Sequence, residues 1–307
     1  MGMRKLDWLL EKLYIIGRAH IFNPLWLPRE QRRQRRADAM AVSIPWYFRR
    51  NCMKCLKGLD PGPVVKDDAG ERIWSIWFQG ESVAPAIVKA CFASMRRHCS
   101  NELVVLDEAG LRSMTCIPEE IWKKYEQGLI PRANFSDICR LDLLYRYGGY
   151  WLDSTCFVTS PIPSHIVGSD FFLYMMGTLY GSPYSYVQNC FIRARKGDYL
   201  LAAWREMTID YWLKHNHRMD YFMHQLMFKT LVLNDPRAIS EFAEMPKEDM
   251  DATHVLQCGR GMSAPYIPEQ FAEDISGAFF QKMTYRGADD APEGSIGDYI
   301  KKTVSGN

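Results

Sequence analysis

From about residue 71 the chain alternates short runs of consecutive apolar residues with longer stretches in which apolar residues recur every three or four positions. That alternation is the signature of an α/β fold. "RIWSIWF" (72–78) predicts a buried strand. "SVAPAIVKACFASMRRHC" (82–99) predicts a helix capped by Ser82, with Pro85 in its first turn and Ile87, Cys91 and Met95 on one face. "ELVVLD" (102–107) predicts a second strand. "PEEIWKKYEQG" (118–128) predicts a helix opened by proline, supported by Glu119/Lys123 and Glu120/Lys124 at i, i+4, and stopped by Gly128. A further helix, "SDICRLDLLYRY" (136–147), would start at a Ser136 cap and end at Gly148-Gly149, a pair that permits a tight turn into the strand "YWLD". Strands are expected at 171–176 and 189–194, and a long helix from about Tyr199 to His215. The tail beyond Gly287 should be loose apart from a short helix.

The first 70 residues follow a different pattern. Leu6, Leu9, Leu10, Leu13 and Ile16 form the stripe of an amphipathic helix, and "REQRRQRR" follows, too dense in arginine for a core. Residues 1–60 hold 13 Lys/Arg and 5 Asp/Glu, so a chain of net charge +2 carries +8 there and −6 elsewhere. With Trp8 and Trp26 nearby, residues 1–36 suit the surface of an anionic membrane; equally, the helix could pack on the protein's own body. Nucleic acid is not an expected partner, because the rest of the chain is acidic and shows no nucleic-acid module.

Length and composition narrow the class. At 307 residues and 47% apolar the chain can bury a large core. It has no run of apolar residues long enough to span a bilayer, and charges at Asp7, Glu11, Lys12 and Arg18 argue against a signal peptide. Nine scattered cysteines suit reduced thiols and a cytoplasmic location, peripheral at the inner membrane face if the basic segment binds lipid. Cys52 and Cys55 form a lone C-x-x-C with no second pair at zinc spacing, which reads as incidental. There is no P-loop, G-x-G-x-x-G, G-x-S-x-G or H-E-x-x-H.

The chemistry concentrates around "RYGGYWLDSTCF" (146–157). Asp137 and Arg140 are three apart on one helix and share a face. The glycines then turn the chain so that Asp153, at the end of the next strand, returns to that face. A carboxylate, a guanidinium and a second carboxylate would meet at the open end of an α/β sheet, where such folds bind ligands. Taken singly, the same residues would also serve as a surface ion pair and a turn cap.

"FSDICRLDLLYRYGGYWLDST" resembles the sugar-binding core of glycosyltransferases that carry a D-x-D motif, and within them the capsular polysaccharide synthesis proteins; "IWSIWFQG" and "LVVLDEAGL" are similar to the start of that family. The resemblance covers roughly residues 70–285. It implies a GT-A type fold, a mixed and mostly parallel sheet flanked by helices, with an N-terminal amphipathic helical extension. The corresponding division is residues 1–70 extension, 71–286 glycosyltransferase domain and 287–307 tail. It implies a hexosyltransferase moving a sugar from a nucleotide donor, a UDP-sugar by expectation, to a capsular or cell-surface glycan or a lipid-linked glycan, with retention at the anomeric carbon. Asp137, Arg140 and Asp153 would hold the donor, Trp77 and Gln79 the nucleotide, Lys282 the diphosphate, and Asp220 or His224 would face the acceptor or donor sugar; as a strand residue Trp77 reads equally as core. His224 among apolar neighbours and Asp220 at a helix start also read as a core histidine and a cap.

The resemblance breaks at the third position of D-x-D, where Thr155 replaces the aspartate that would ligate Mn2+ or Mg2+ beside Asp153. Gln281, beside Lys282 in "FFQKMTYRG", stands where the family often has histidine. Both changes leave metal dependence open. They also keep a rival function in view, a non-catalytic sugar-nucleotide or glycan-binding partner of a synthesis complex.

Overall fold

A computed structural model describes residues 28–65, 71–181, 185–287 and 290–303. The chain runs α1 (Arg29–Asn51), β1 (Ile73–Ile76), α2 (Ala86–His98), β2 (Leu103–Leu106), α3 (Glu108–Met114), α4 (Glu119–Glu126), α5 (Arg132–Tyr147), β3 (Gly149–Leu152) and β4 (Cys156–Val158). It continues α6 (Ser164–Val167), β5 (Phe171–Met175), β6 (Val187–Ala194), α7 (Tyr199–Lys214), α8 (Met223–Asn234), α9 (Pro236–Glu244), α10 (Pro268–Ile275), β7 (Phe280–Lys282) and α11 (Ile296–Lys302).

Five strands form one mixed sheet in the order β2-β1-β3-β6-β5. β2, β1 and β3 are parallel; β6 pairs antiparallel with both β3 and β5, so it alone is reversed. Side chains alternate between two cores, as a period of two requires. Trp74, Trp151 and Leu173 enter the larger one, with α1, α4, α5, α7 and α8. Ile73, Tyr150 and Phe172 enter the other, with α2, α10 and α11. β4 and β7 make a separate two-stranded ribbon.

The turn at Gly148-Gly149 requires glycine. Both have positive φ, 69° and 97°. A Cβ on Gly149 would lie 2.4 Å from the Arg72 carbonyl oxygen, and one on Gly148 would lie 2.8 Å from the Lys196 nitrogen. The absence of side chains lets β3 enter the sheet directly, with Tyr150 N–H donating to Arg72 O at 2.9 Å.

Several expectations are corrected. α5 begins at Arg132 behind Pro131, a turn before Ser136, which lies inside the helix. Pro85, with its fixed φ, holds the cap position of α2, and Ser82 belongs to a preceding 3-10 turn. The short helix expected in the tail is present as α11, and it is docked: Ser295 caps it, and its Ile296 and Ile300 are buried in the second core.

The basic segment from Arg29 to Leu56 does not stand apart. Met40, Ile44, Tyr47 and Phe48 make one face of α1 and join the larger core. Pro45 inside α1 has no N–H to donate to the Ala41 carbonyl, and Lys229 of α8 reaches that oxygen at 3.4 Å. The stripe from Leu6 to Ile16, with Trp8 and Trp26, lies outside the described residues. Among the described residues no helix is long and apolar enough to cross a membrane.

Lys124 is buried and donates to the carbonyls of Trp212, Leu213 and His215 at 2.5, 2.8 and 3.3 Å, closing the C-terminus of α7. Its expected partner Glu120 sits at 3.5 Å, while Glu119 pairs with Arg112 at 3.6 Å. The nine cysteines are free thiols, and Cys55 simply donates to the Cys52 carbonyl at 2.8 Å.

Candidate active site

β1 and β3 end, and the reversed β6 begins, on one edge of the sheet. Asp153 is the residue immediately past β3, and its N–H donates to Cys190 O at 2.9 Å. Its own carbonyl accepts from Cys156 N at 2.9 Å, closing a turn that passes through Ser154 and Thr155 into β4.

Arg140 approaches this edge from α5. Its guanidinium carbon lies 4.8 Å from the centroid of the Trp151 ring, a cation–π contact with the residue two before Asp153. Nη1 donates to the Asn189 carbonyl at 2.5 Å, and Nη2 lies 3.3 Å from Asp137 Oδ1 and 3.4 Å from Asp153 Oδ1. Three residues drawn from one helix and one strand end therefore meet around a single buried guanidinium, 5% exposed. Trp151 Nε1 also donates to Asp153 Oδ1 at 2.8 Å.

Lys282 supplies a second cation. The β4–β7 ribbon sets Cys156 opposite Lys282, and Met283 N–H donates to Thr155 O at 2.7 Å. Lys282 Nζ donates to Asp153 Oδ2 at 2.6 Å and to Thr155 Oγ1 at 2.8 Å. Burial alone would raise the Asp153 pKa, but Lys282 and Arg140 outweigh it and hold the carboxyl below its usual range. Burial opposes a charged Lys282, and Asp153 more than reverses that, so the ammonium persists.

Asp137 titrates higher than its neighbour. Burial pushes its carboxyl from an ordinary 3.8 to about 6, with Arg140 pulling down and Asp153 pushing up. Asn189 Nδ2 donates to Asp137 Oδ1 at 3.1 Å and also lies 2.9 Å from His224 Nδ1. That amide can only donate to an ionised carboxylate, which fixes its orientation and makes His224 Nδ1 an acceptor. The imidazole proton is therefore assigned to Nε2, which has no hydrogen-bond partner among the described residues. Burial first and Arg140 second keep His224 neutral, stacked on Trp204 at 4.1 Å between centroids.

The remaining candidates lie further out. Trp77 is half-buried just past β1, edge-on to Tyr285 with centroids 5.5 Å apart, and Gln79 is exposed beside it. Asp220 accepts from Phe222 N at 2.8 Å in a local turn before α8. Gln281 is fully buried and turned away from the cluster; it donates to Ala252 O at 2.7 Å and accepts from Leu256 N at 3.3 Å. Its place in the chain is the bracing of the 252–256 segment.

Asn189 and Trp151 were not singled out from the sequence. The signal for Asn189 was a polar Gln-Asn pair beside the apolar run Cys190–Ile192, since a buried amide must find partners. For Trp151 it was spacing, because residues two apart on a strand share a face.

The donors present do not fit a divalent ion at Asp153. Among the described residues no three His, Cys, Asp or Glu side chains come together as a metal-binding group. Asp153 and Thr155, the pair that would face the ion, instead share the Lys282 ammonium. A cation about 4 Å from that ammonium meets about 4 kcal/mol of repulsion per unit charge at an effective dielectric of ~20, and a divalent one twice that.

A profile of the capsular polysaccharide synthesis protein family matches residues 32–302, well beyond the limits of about 70 and 285 drawn from motifs alone. The glycosyltransferase afumC of Aspergillus fumigatus is 28% identical over 168 residues, 48% of this chain and 42% of that relative, so the match spans less than half the relative's length. Among solved structures, the PaToxG glycosyltransferase aligns over 68% of this chain and 84% of its own, at 13% identity and a TM-score of 0.37.

Proposed function

The chain belongs to the capsular polysaccharide synthesis protein family, and from that premise we propose that it is a glycosyltransferase carrying a sugar from a nucleotide-sugar donor to a growing capsular or cell-surface glycan. One observation supports this reading most: Asp137, Arg140, Asp153 and Lys282 gather at the edge where β1 and β3 end, the edge at which α/β folds take ligands. A mixed sheet with helices on both faces suits a GT-A type fold.

In this reading the donor is a UDP-sugar whose diphosphate faces Arg140 and Lys282, and whose sugar hydroxyls bond Asp137 and the lone pairs left on Asp153. Trp77 and Gln79 lie at the nucleotide end. The acceptor, a glycan or lipid-linked glycan, is met by Asp220, in the turn that precedes α8. As the bond from the anomeric carbon to the diphosphate breaks, its electron pair goes to phosphate oxygen, and two fixed cations stabilise that growing charge. The acceptor hydroxyl attacks the same face and its proton passes to the departing diphosphate, which retains the anomeric configuration. The protein works at the inner face of the membrane, which α1 would touch through Arg33, Arg35 and Arg36, all exposed.

The test is nucleotide release from a panel of nucleotide sugars, with and without acceptor glycan. Turnover by the native protein that falls at least 100-fold in Asp153→Ala is the expected result. Binding without release under every condition would instead favour a non-catalytic sugar-nucleotide-binding partner.

A further inference from the structure

We infer that the Lys282 ammonium takes the place of a divalent cation at this site, so that nucleoside diphosphate binds without Mn2+ or Mg2+. The inference rests on the nucleotide-sugar reading and adds to it the identity of the charge that meets the diphosphate.

The geometry is specific. Asp153 and Thr155 occupy the first and third positions of the D-x-D-like segment, and both side chains turn toward one point. At that point stands Nζ of Lys282, 2.6 Å from the carboxylate and 2.8 Å from the hydroxyl. A threonine hydroxyl is a poor ligand for a hard cation but a good acceptor for an ammonium N–H. The substitution that weakens a metal site is thus the one that suits lysine.

The lysine is also held in position. Its Cα is fixed by the β4–β7 register, and its side chain is 15% exposed. Two of its three N–H donors are committed to Asp153 and Thr155, which leaves one for a ligand oxygen. Charge agrees as well. Asp137 and Asp153 balance Arg140 and Lys282, so the cluster is neutral before the donor arrives. An aspartate in place of Thr155 would leave it one charge negative and in need of a further cation. Asp153 becomes in part a positioning residue, aiming the ammonium as well as accepting sugar hydroxyls.

The experiment measures binding of UDP, GDP and TDP to the full chain by calorimetry, in EDTA and again in Mn2+ or Mg2+, alongside Lys282→Met with its fold checked by circular dichroism. The expected result is affinity for one nucleotide that changes less than twofold between EDTA and metal, and a folded Lys282→Met that loses at least tenfold. Binding seen only with metal overturns the inference while leaving the nucleotide-sugar reading intact. A folded Lys282→Met that binds like the native protein overturns it too. Absence of binding by all three nucleotides under every condition removes both. The EDTA comparison needs no variant, so it decides the matter even if Lys282→Met fails to fold.

Discussion

At the scale of residues, the site is a set of buried polar groups whose partners are one another. Asn189 is its hub: its carbonyl accepts from Arg140, its amide nitrogen meets Asp137 and His224, and its side-chain oxygen accepts from Gln225 at 3.3 Å. Asn189→Ala strands several of these groups and should lower stability by about 1–3 kcal/mol, read as a fall in Tm. It should also alter titration. The Asn189 hydrogen bond pulls the Asp137 pKa down from where burial would put it, so without that bond the value rises above about 6. If ionised Asp137 binds the donor, activity falls as pH drops through that value, and the acid limb of the pH–rate profile moves toward neutral pH in the variant. An unmoved limb would remove Asp137 from the titrating groups. Asp137, Arg140 and Asp153 were legible in the sequence because helix and strand spacings fix which side chains share a face. Asn189 was not, because its role depends on β6 lying antiparallel beside β3, a pairing that no local pattern announces.

At the scale of elements, the strands and the long helix of the main body were legible from periodicity, and their ends were less so. α5 starts a turn before Ser136 because Pro131 sets the entry dihedral there, and serine loses to proline as the determinant of where the helix begins. The three-residue strands β4 and β7 were invisible, being too short to show alternation; only their mutual pairing defines them. The glycine turn was legible as a turn, but its strictness follows from the Arg72 and Lys196 backbones on either side. Gly149→Ala combines a positive φ, costing about 1–3 kcal/mol for a residue with a Cβ, with a backbone clash that only a shift of β3 relieves. It should cause a marked loss of Tm and of activity together. A variant with native Tm and unimpaired turnover would show that β3 tolerates displacement at its start.

At the scale of the whole molecule, charge is divided as the sequence indicates, but the division is not one between an arm and a body. One face of α1 enters the core at Ile44 and Phe48, both fully buried, while Val42 and Trp46 are 68% and 41% exposed on the other, with Arg50 5.5 Å from the Trp46 ring centroid. The exposed face thus combines arginines with apolar groups, the composition of a surface that meets anionic lipid. Replacing Arg33, Arg35 and Arg36 together with Gln should weaken partitioning to phosphatidylglycerol vesicles on the order of 100-fold at low salt, at about 1 kcal/mol per arginine, with little change in Tm. Unchanged partitioning would assign α1 to packing alone.

The β4–β7 ribbon carries one more consequence, for the order of events during synthesis. It joins Thr155 to Lys282 across most of the second half of the chain, and contacts of such long sequence separation form late. Until residues 280–282 have left the ribosome, Asp153 and Asp137 face Arg140 alone, and the cluster has one cation too few. The polypeptide can therefore pair β1, β2, β3, β5 and β6 before the cluster is complete, and its charge balance arrives only with the β4–β7 pairing.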